Sequence, residues 1–129
     1  MWLNDLTAEQ RRSFLGLAYN VVVSDGLLDP NEELMMAAFR REMELDSGVQ
    51  ADYTDLAGVD EVFSDRRSRR IAMINLIHLS YADGAYEIEE ECLLRELAST
   101  FGVEDSEFAL LENWVKRLVS LEQEATALL

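Results

Sequence analysis

The sequence predicts an all-α fold, a compact bundle of about six to seven helices, and three observations carry that expectation. One proline and six glycines among 129 residues leave long stretches without a helix breaker. Leu, Ala, Glu, Met and Arg, which lose little on entering a helix, are plentiful, while Val and Ile are modest. Apolar residues also recur at spacings of three and four in one segment after another, as on a single helical face. With 49% hydrophobic residues the chain can build a core, and wholesale disorder is excluded. Its length is that of one domain, residues 1–129, able to bury roughly 65–70% of its unfolded surface.

Taken in order, the first helix is announced by Thr7 with Gln10 three residues on, the pattern of a capping box. Phe14, Leu15, Ala18, Val21 and Val22 form its apolar face, and Asp25-Gly26 is expected to stop it, because glycine takes the left-handed backbone of a helix C-terminus. Asp29-Pro30-Asn31-Glu32 reads as an N-cap, a proline at the first position and a carboxylate at the third. The second helix then presents Leu34, Met35, Ala38, Phe39 and Met43 as its stripe. Residues 46–64 read as a long connection with a short helix, using Leu56, Val59, Val62 and Phe63. A basic cluster, Arg66-Arg67-Ser68-Arg69-Arg70, opens the next helix, whose face includes Ile71, Ile74, Ile77, His78 and Tyr81 before Asp83-Gly84. Another begins near Glu87 or Ile88, packs Cys92, Leu93, Leu94, Leu97, Ala98 and Phe101, and stops at Gly102. The last starts around Asp105-Ser106 with Phe108, Leu111, Trp114, Val115, Leu118 and Leu121, and Glu122–Leu129 is expected to fray.

Charge and cysteine content narrow the functions. A net charge of −15 disfavours nucleic acid and anionic membrane surfaces, both of which need Lys and Arg. It suits a cation or a basic protein partner, or simply keeps the chain soluble. The short run at Arg66–Arg70 is surrounded by acid and is expected to form ion pairs with neighbouring helices. Cys92 is the sole cysteine, so no disulfide framework exists within the chain, and its helical setting favours packing. Neither a signal-peptide pattern nor an 18-residue apolar run is present, which points to a cytoplasmic protein without an integral membrane segment.

A repeat is the most informative feature. Residues 19–33 and 77–91 match at an offset of 58: an apolar helix, Asp-Gly, a short turn, an acidic cap, then Glu at the seventh position after the Asp. Downstream, Leu34 pairs with Cys92, Met35 with Leu93, Phe39 with Leu97 and Met43 with Phe101. Two helical hairpins of one design, packed with pseudo-twofold symmetry, account for this. Asp25 and Asp83 demand a reason, because a carboxylate opposes the negative end of a helix dipole at a cost of a few tenths to ~1 kcal/mol. Two readings are open. The acids accept from free amides of the following helix, or Asp25 with Glu32, and Asp83 with Glu90, hold a cation; oxygen ligands alone favour calcium or magnesium.

This double Asp-Gly-x5-Glu pattern, strongest over Val22–Glu33 and Ser80–Glu91, resembles the TerB-like family, which includes the tellurite-resistance protein TerB and the N-terminal domain of DjlA-type co-chaperones. The resemblance covers roughly Leu6 to Leu121. The second copy, Tyr81-Ala82-Asp83-Gly84 with Glu90, is close to the family pattern, and the first departs in having Ser24 in place of the usual alanine. The resemblance implies a bundle of about seven helices, a bacterial stress setting, and an acidic metal site. That site would select Asp25, Glu32, Asp83 and Glu90, with Asp29, Glu33, Glu87 and Glu91 as secondary candidates. No J-domain accompanies the pattern in these residues, a departure from the DjlA-type co-chaperones.

Catalysis is not expected, and no catalytic residue is assigned. The sole histidine, His78, stands opposite Asn20 in the repeat without a serine or cysteine set beside it by sequence, and reads as a satisfied, half-buried residue. Carboxylates alone do not specify glycosidase chemistry without a sugar cleft. The expected function is therefore a binding domain holding a divalent cation, with an acidic protein-interaction module or co-chaperone-like scaffold as the alternative.

Overall fold

The computed structural model describes residues 1–24, 29–82 and 87–129. A 3-10 turn at Leu3–Asp5 leads to α1 (Ala8–Val23) and α2 (Pro30–Glu42). A single short helix, α3 (Val59–Val62), precedes α4 (Arg66–Ser80), α5 (Ile88–Thr100) and α6 (Asp105–Leu128). No strand occurs among the described residues, and the all-α expectation holds. The Asp-Gly pairs expected to stop α1 and α4 lie outside the described residues.

Local chemistry sets the helix starts. Thr7 accepts from the Gln10 backbone N–H at 3.2 Å while the Gln10 side chain accepts from the Thr7 N–H at 3.0 Å. Asp29 caps α2 by accepting from the Asn31 N–H at 2.7 Å, with Pro30 in the first turn. Asp65 caps α4, accepting from the Ser68 N–H at 3.2 Å and from the Ser68 hydroxyl at 2.5 Å. These bonds, the hydroxyl first, hold the Asp65 carboxyl below the usual aspartate range.

The 58-residue offset governs the helices themselves. α2 and α5 start and end at matched positions, as do the starts of α1 and α4. Both hairpins also end alike. Glu44 (φ 56°) and Gly102 (φ 70°) take the left-handed backbone at equivalent positions. Leu45 then donates to the Arg40 carbonyl at 2.9 Å, and Val103 to the Ala98 carbonyl at 2.8 Å, the six-to-one bond of a Schellman ending.

One arginine per half closes the structure around these endings. Arg11 donates to three carbonyls: Leu6 at 3.0 Å, Met43 at 2.8 Å and Asn4 at 2.6 Å. Its counterpart Arg69 donates to Phe63 at 2.5 Å, Phe101 at 3.1 Å and Asp60 at 2.7 Å. Met43 and Phe101 are the C-caps of α2 and α5, where orphan carbonyls carry the negative end of the dipole. A planar guanidinium with five donors reaches all three acceptors at once.

The core shows where the expected faces were and were not correct. Phe14 packs edge-on against Phe39, and Phe63 against Phe101, with ring centres 5.2 and 5.5 Å apart. α4 is buried nearly all round, including Ala72, Met73, Asn75, Leu76 and Leu79, because it packs against α1, α5 and α6 at once. In α2 the expected stripe holds at Phe39 and Met43, but Leu34 is 69% exposed and Ala38 is exposed too. Cys92, the counterpart of Leu34, is exposed rather than packed. Both residues stand on the outer side of their hairpin, so apolar spacing alone misassigns them. α6 continues to Leu128 instead of fraying at 122; the Glu122 carboxylate lies 2.8 Å from His78 on α4. The basic cluster pairs as expected in part: Arg67 with Asp5 at 2.5 Å, and Arg66 and Arg70 with Glu107.

The long connection crosses α1 without regular secondary structure at residues 50–55. Asn20 donates to the Thr54 carbonyl at 2.7 Å and accepts from the Thr54 N–H at 3.0 Å. Gly16 lies beneath this crossing, where an added Cβ would fall 1.7 Å from the Thr54 hydroxyl oxygen.

Two measurements check this account. Arg11→Ala and Arg69→Ala are each expected to cost about 2–3 kcal/mol in urea unfolding, by leaving three carbonyls without a charged donor. Lysine at either position should recover little, since one ammonium cannot span three acceptors. For Asp65, the depressed pKa means that its contribution is present above about pH 4 and is lost as pH falls through the folded value. Ser68→Ala is expected to move the Asp65 titration upward in carboxyl NMR and to shrink that loss; an unmoved titration contradicts the hydroxyl as its main cause.

Candidate functional site at the two hairpin turns

The four expected ligands divide into two described and two not. Asp25 and Asp83 lie outside the described residues. Glu32 and Glu90 occupy equivalent positions in the first turns of α2 and α5, and each is only 2% exposed. The Glu32 Oε1 accepts from the Asp29 backbone N–H at 3.3 Å, and the Glu90 Oε1 from the Glu87 N–H at 3.3 Å. Burial of a carboxylate is costly, and a helix N-terminus offsets it through its amides and the positive end of its dipole. The local sequence dictates this arrangement: a carboxylate three residues past the cap is placed to turn back on the cap's own amide.

The secondary candidates are more open. Asp29 is half-buried and is used by the Asn31 amide; Glu33 and Glu87 are exposed. Glu91 accepts from Arg95 Nε at 3.1 Å, one helical turn on. Among the described residues no group of three or more His, Cys, Asp or Glu side chains is placed to hold a metal ion. The donor chemistry nonetheless fits a hard cation, since an ionised carboxylate is an acceptor only and oxygen donors are what calcium and magnesium take.

His78 belongs to a different surface. It is half-buried in a groove between α2, α4 and α6, with Nε2 2.8 Å from the Glu122 carboxylate. Thr126 lines the same groove, and its hydroxyl donates to the Glu122 carbonyl at 3.1 Å. Asn20 and His78, matched in the repeat, therefore do matching work: each ties down the segment crossing its own hairpin. The paired clamps Arg11 and Arg69 were not singled out from sequence, although the same 58-residue offset relates them.

Two helical hairpins of one design, each with acids in its connecting sequence and a buried glutamate opening its second helix, define a class of small all-α domain. The family model described as tellurite resistance protein TerB matches residues 40–113, more than half of the chain, and the protein belongs to that family. The matched residues begin within α2 and take in the whole second hairpin with Asp83 and Glu90. No curated protein and no solved structure matches the chain significantly. No helix among the described residues is long and apolar enough to cross a membrane.

The capping geometry makes its own prediction. Glu32→Ala and Glu90→Ala are each expected to cost ~0.5–2 kcal/mol in thermal unfolding, without added ions. A loss below that range at both positions would show that the cap amides do not depend on these carboxylates.

Proposed function

We propose that this TerB-family domain is a non-enzymatic, cytoplasmic binding protein that holds a divalent cation, calcium or magnesium, at its two Asp-Gly-x5-Glu turns, in a stress response of the tellurite type. The observation that carries the reading is the matched burial of Glu32 and Glu90, each opening the helix that follows a turn. The cap amide orients each carboxylate, and the sequence supplies a second one, Asp25 or Asp83, seven residues earlier in each turn. Asp29 and Glu87, which are the N-caps, are further oxygen donors that lie between the two acids of each turn in sequence.

Calorimetric titration of metal-free protein with calcium, magnesium and zinc tests the cation. Saturable heat with calcium or magnesium is expected, abolished in Asp25→Asn/Asp83→Asn and in Glu32→Gln/Glu90→Gln while the helical circular dichroism is retained. No heat, together with a thermal midpoint unchanged by each ion, overturns the reading.

A second reading, recruitment of a basic protein partner without metal, is favoured by a specific surface. The first hairpin carries an open, largely apolar groove of about 570 Å³ with acids on its rim.

A further inference from the structure

The two hairpins are built alike but covered differently. On the second, α6 supplies the cover: Phe108 is 1% exposed and Val115 is fully buried, and the Arg95 guanidinium of α5 lies 4.8 Å from the Phe108 ring centre. Ion pairs from Arg66 and Arg70 to Glu107, and the His78–Glu122 contact, hold α6 along α4. On the first hairpin, the chain 46–58 makes no helix; it crosses α1 as an irregular segment with turns, anchored at Thr54 by Asn20.

What the irregular segment leaves uncovered is the groove of about 570 Å³ between α1, α2 and residues 47–52. Its apolar walls are Tyr19, Val23, Met36, Ala37, Val49 and Ala51. At the repeat offset, Ala37 stands where the second hairpin has Arg95, and Gln50 where it has Phe108. A small side chain and a polar one thus replace the stacked arginine and buried phenylalanine of the second hairpin. Glu33 and Asp52 stand on the rim. The one base in the lining, Arg40, is turned to the chain itself, donating to the carbonyls of Val49 and Asp46. Residues 46–61 carry five acids and no Lys, Arg or His.

We propose that the groove on the first hairpin, between α1, α2 and residues 47–52, docks an amphipathic helix of a partner protein that presents apolar residues flanked by Lys or Arg. The apolar walls fit a helix seated by side chains at i, i+3 and i+7, the spacing of Phe108, Leu111 and Val115 on the covered hairpin. The acidic rim selects the basic flank and speeds encounter. The inference rests on the recruitment reading and names its site and partner; it does not depend on the cation.

The probe is a fluorescein-labelled synthetic helical peptide of about five turns, with Phe, Leu and Val in that spacing and Lys at the outward positions. A second peptide keeps the charge but scrambles the apolar positions. Polarisation titrations with the full chain are expected to give saturable binding of the first peptide, at least tenfold tighter than of the second, and weakening with salt. Met36→Arg, which blocks the groove, should weaken binding at least tenfold. Glu33→Lys/Asp52→Lys reverses charge at the rim without blocking the groove, tests the site even if Met36→Arg misfolds, and should weaken binding at least threefold. Leu34→Arg, on the exposed side of the same helix, should leave it unchanged. Equal binding by all folded variants overturns the groove and leaves recruitment standing elsewhere. No binding of either peptide to about 1 mM overturns both. Self-association in sedimentation that Met36→Arg abolishes would make a second copy the occupant and overturn the basic partner.

Discussion

Each half of this protein depends on an arginine placed where a helix ends. A hairpin of two helices brings the carbonyl end of its second helix back near the start of its first, and those carbonyls have no intrahelical partners. Arg11 and Arg69 stand at the start of α1 and α4 and donate there to the C-cap carbonyls of Met43 and Phe101. Their other donors reach the short helical segments preceding α1 and α4, so each guanidinium joins three pieces of chain. A positive charge at the negative end of a dipole adds to the hydrogen bonds. With the hairpin closed this way, Phe14 meets Phe39 and Phe63 meets Phe101 in the core.

Asymmetry enters through what lies over the two hairpins. α4 is surrounded because α6 covers its hairpin, and the α6 residues that do this, Phe108 and Val115, come at helical spacing. α1 is covered instead by a non-helical segment, which can approach closely only because Gly16 has no side chain and Asn20 offers both a donor and an acceptor to Thr54. A single non-helical stretch of chain covers less width than a helix, and the remaining apolar surface of Tyr19, Met36 and Ala37 lines a groove. The turn sites share no such difference. Glu32 and Glu90 are equally buried and each accepts from its own N-cap amide, so the two helix starts are duplicated while the surfaces beside them are not.

Much of the architecture was legible before any coordinates, for identifiable reasons. The capping pairs at Thr7/Gln10 and Asp29/Glu32, the restart at Arg66 and the stop at Gly102 are local chemistry, decided within four residues of each helix end. The 58-residue offset survives as matched helix bounds because two copies of one hairpin solve the same packing problem. Of the candidate site, the positions of Glu32 and Glu90 in their first turns followed from cap spacing alone.

Sequence by itself therefore determined the class, the number of long helices, the hairpin repeat and the acidic character of both turns, because all of these rest on short-range spacing and composition. Tertiary structure alone decided which apolar residues face inward. Leu34 and Cys92 fit a helical stripe yet stay exposed, since a stripe is buried only where another element lies over it. It also decided that Arg11 and Arg69 clamp carbonyls, that His78 meets Glu122 some forty residues away, and that the first hairpin keeps an open groove. Each of these depends on segments distant in the chain arriving at one place, which helical periodicity does not encode.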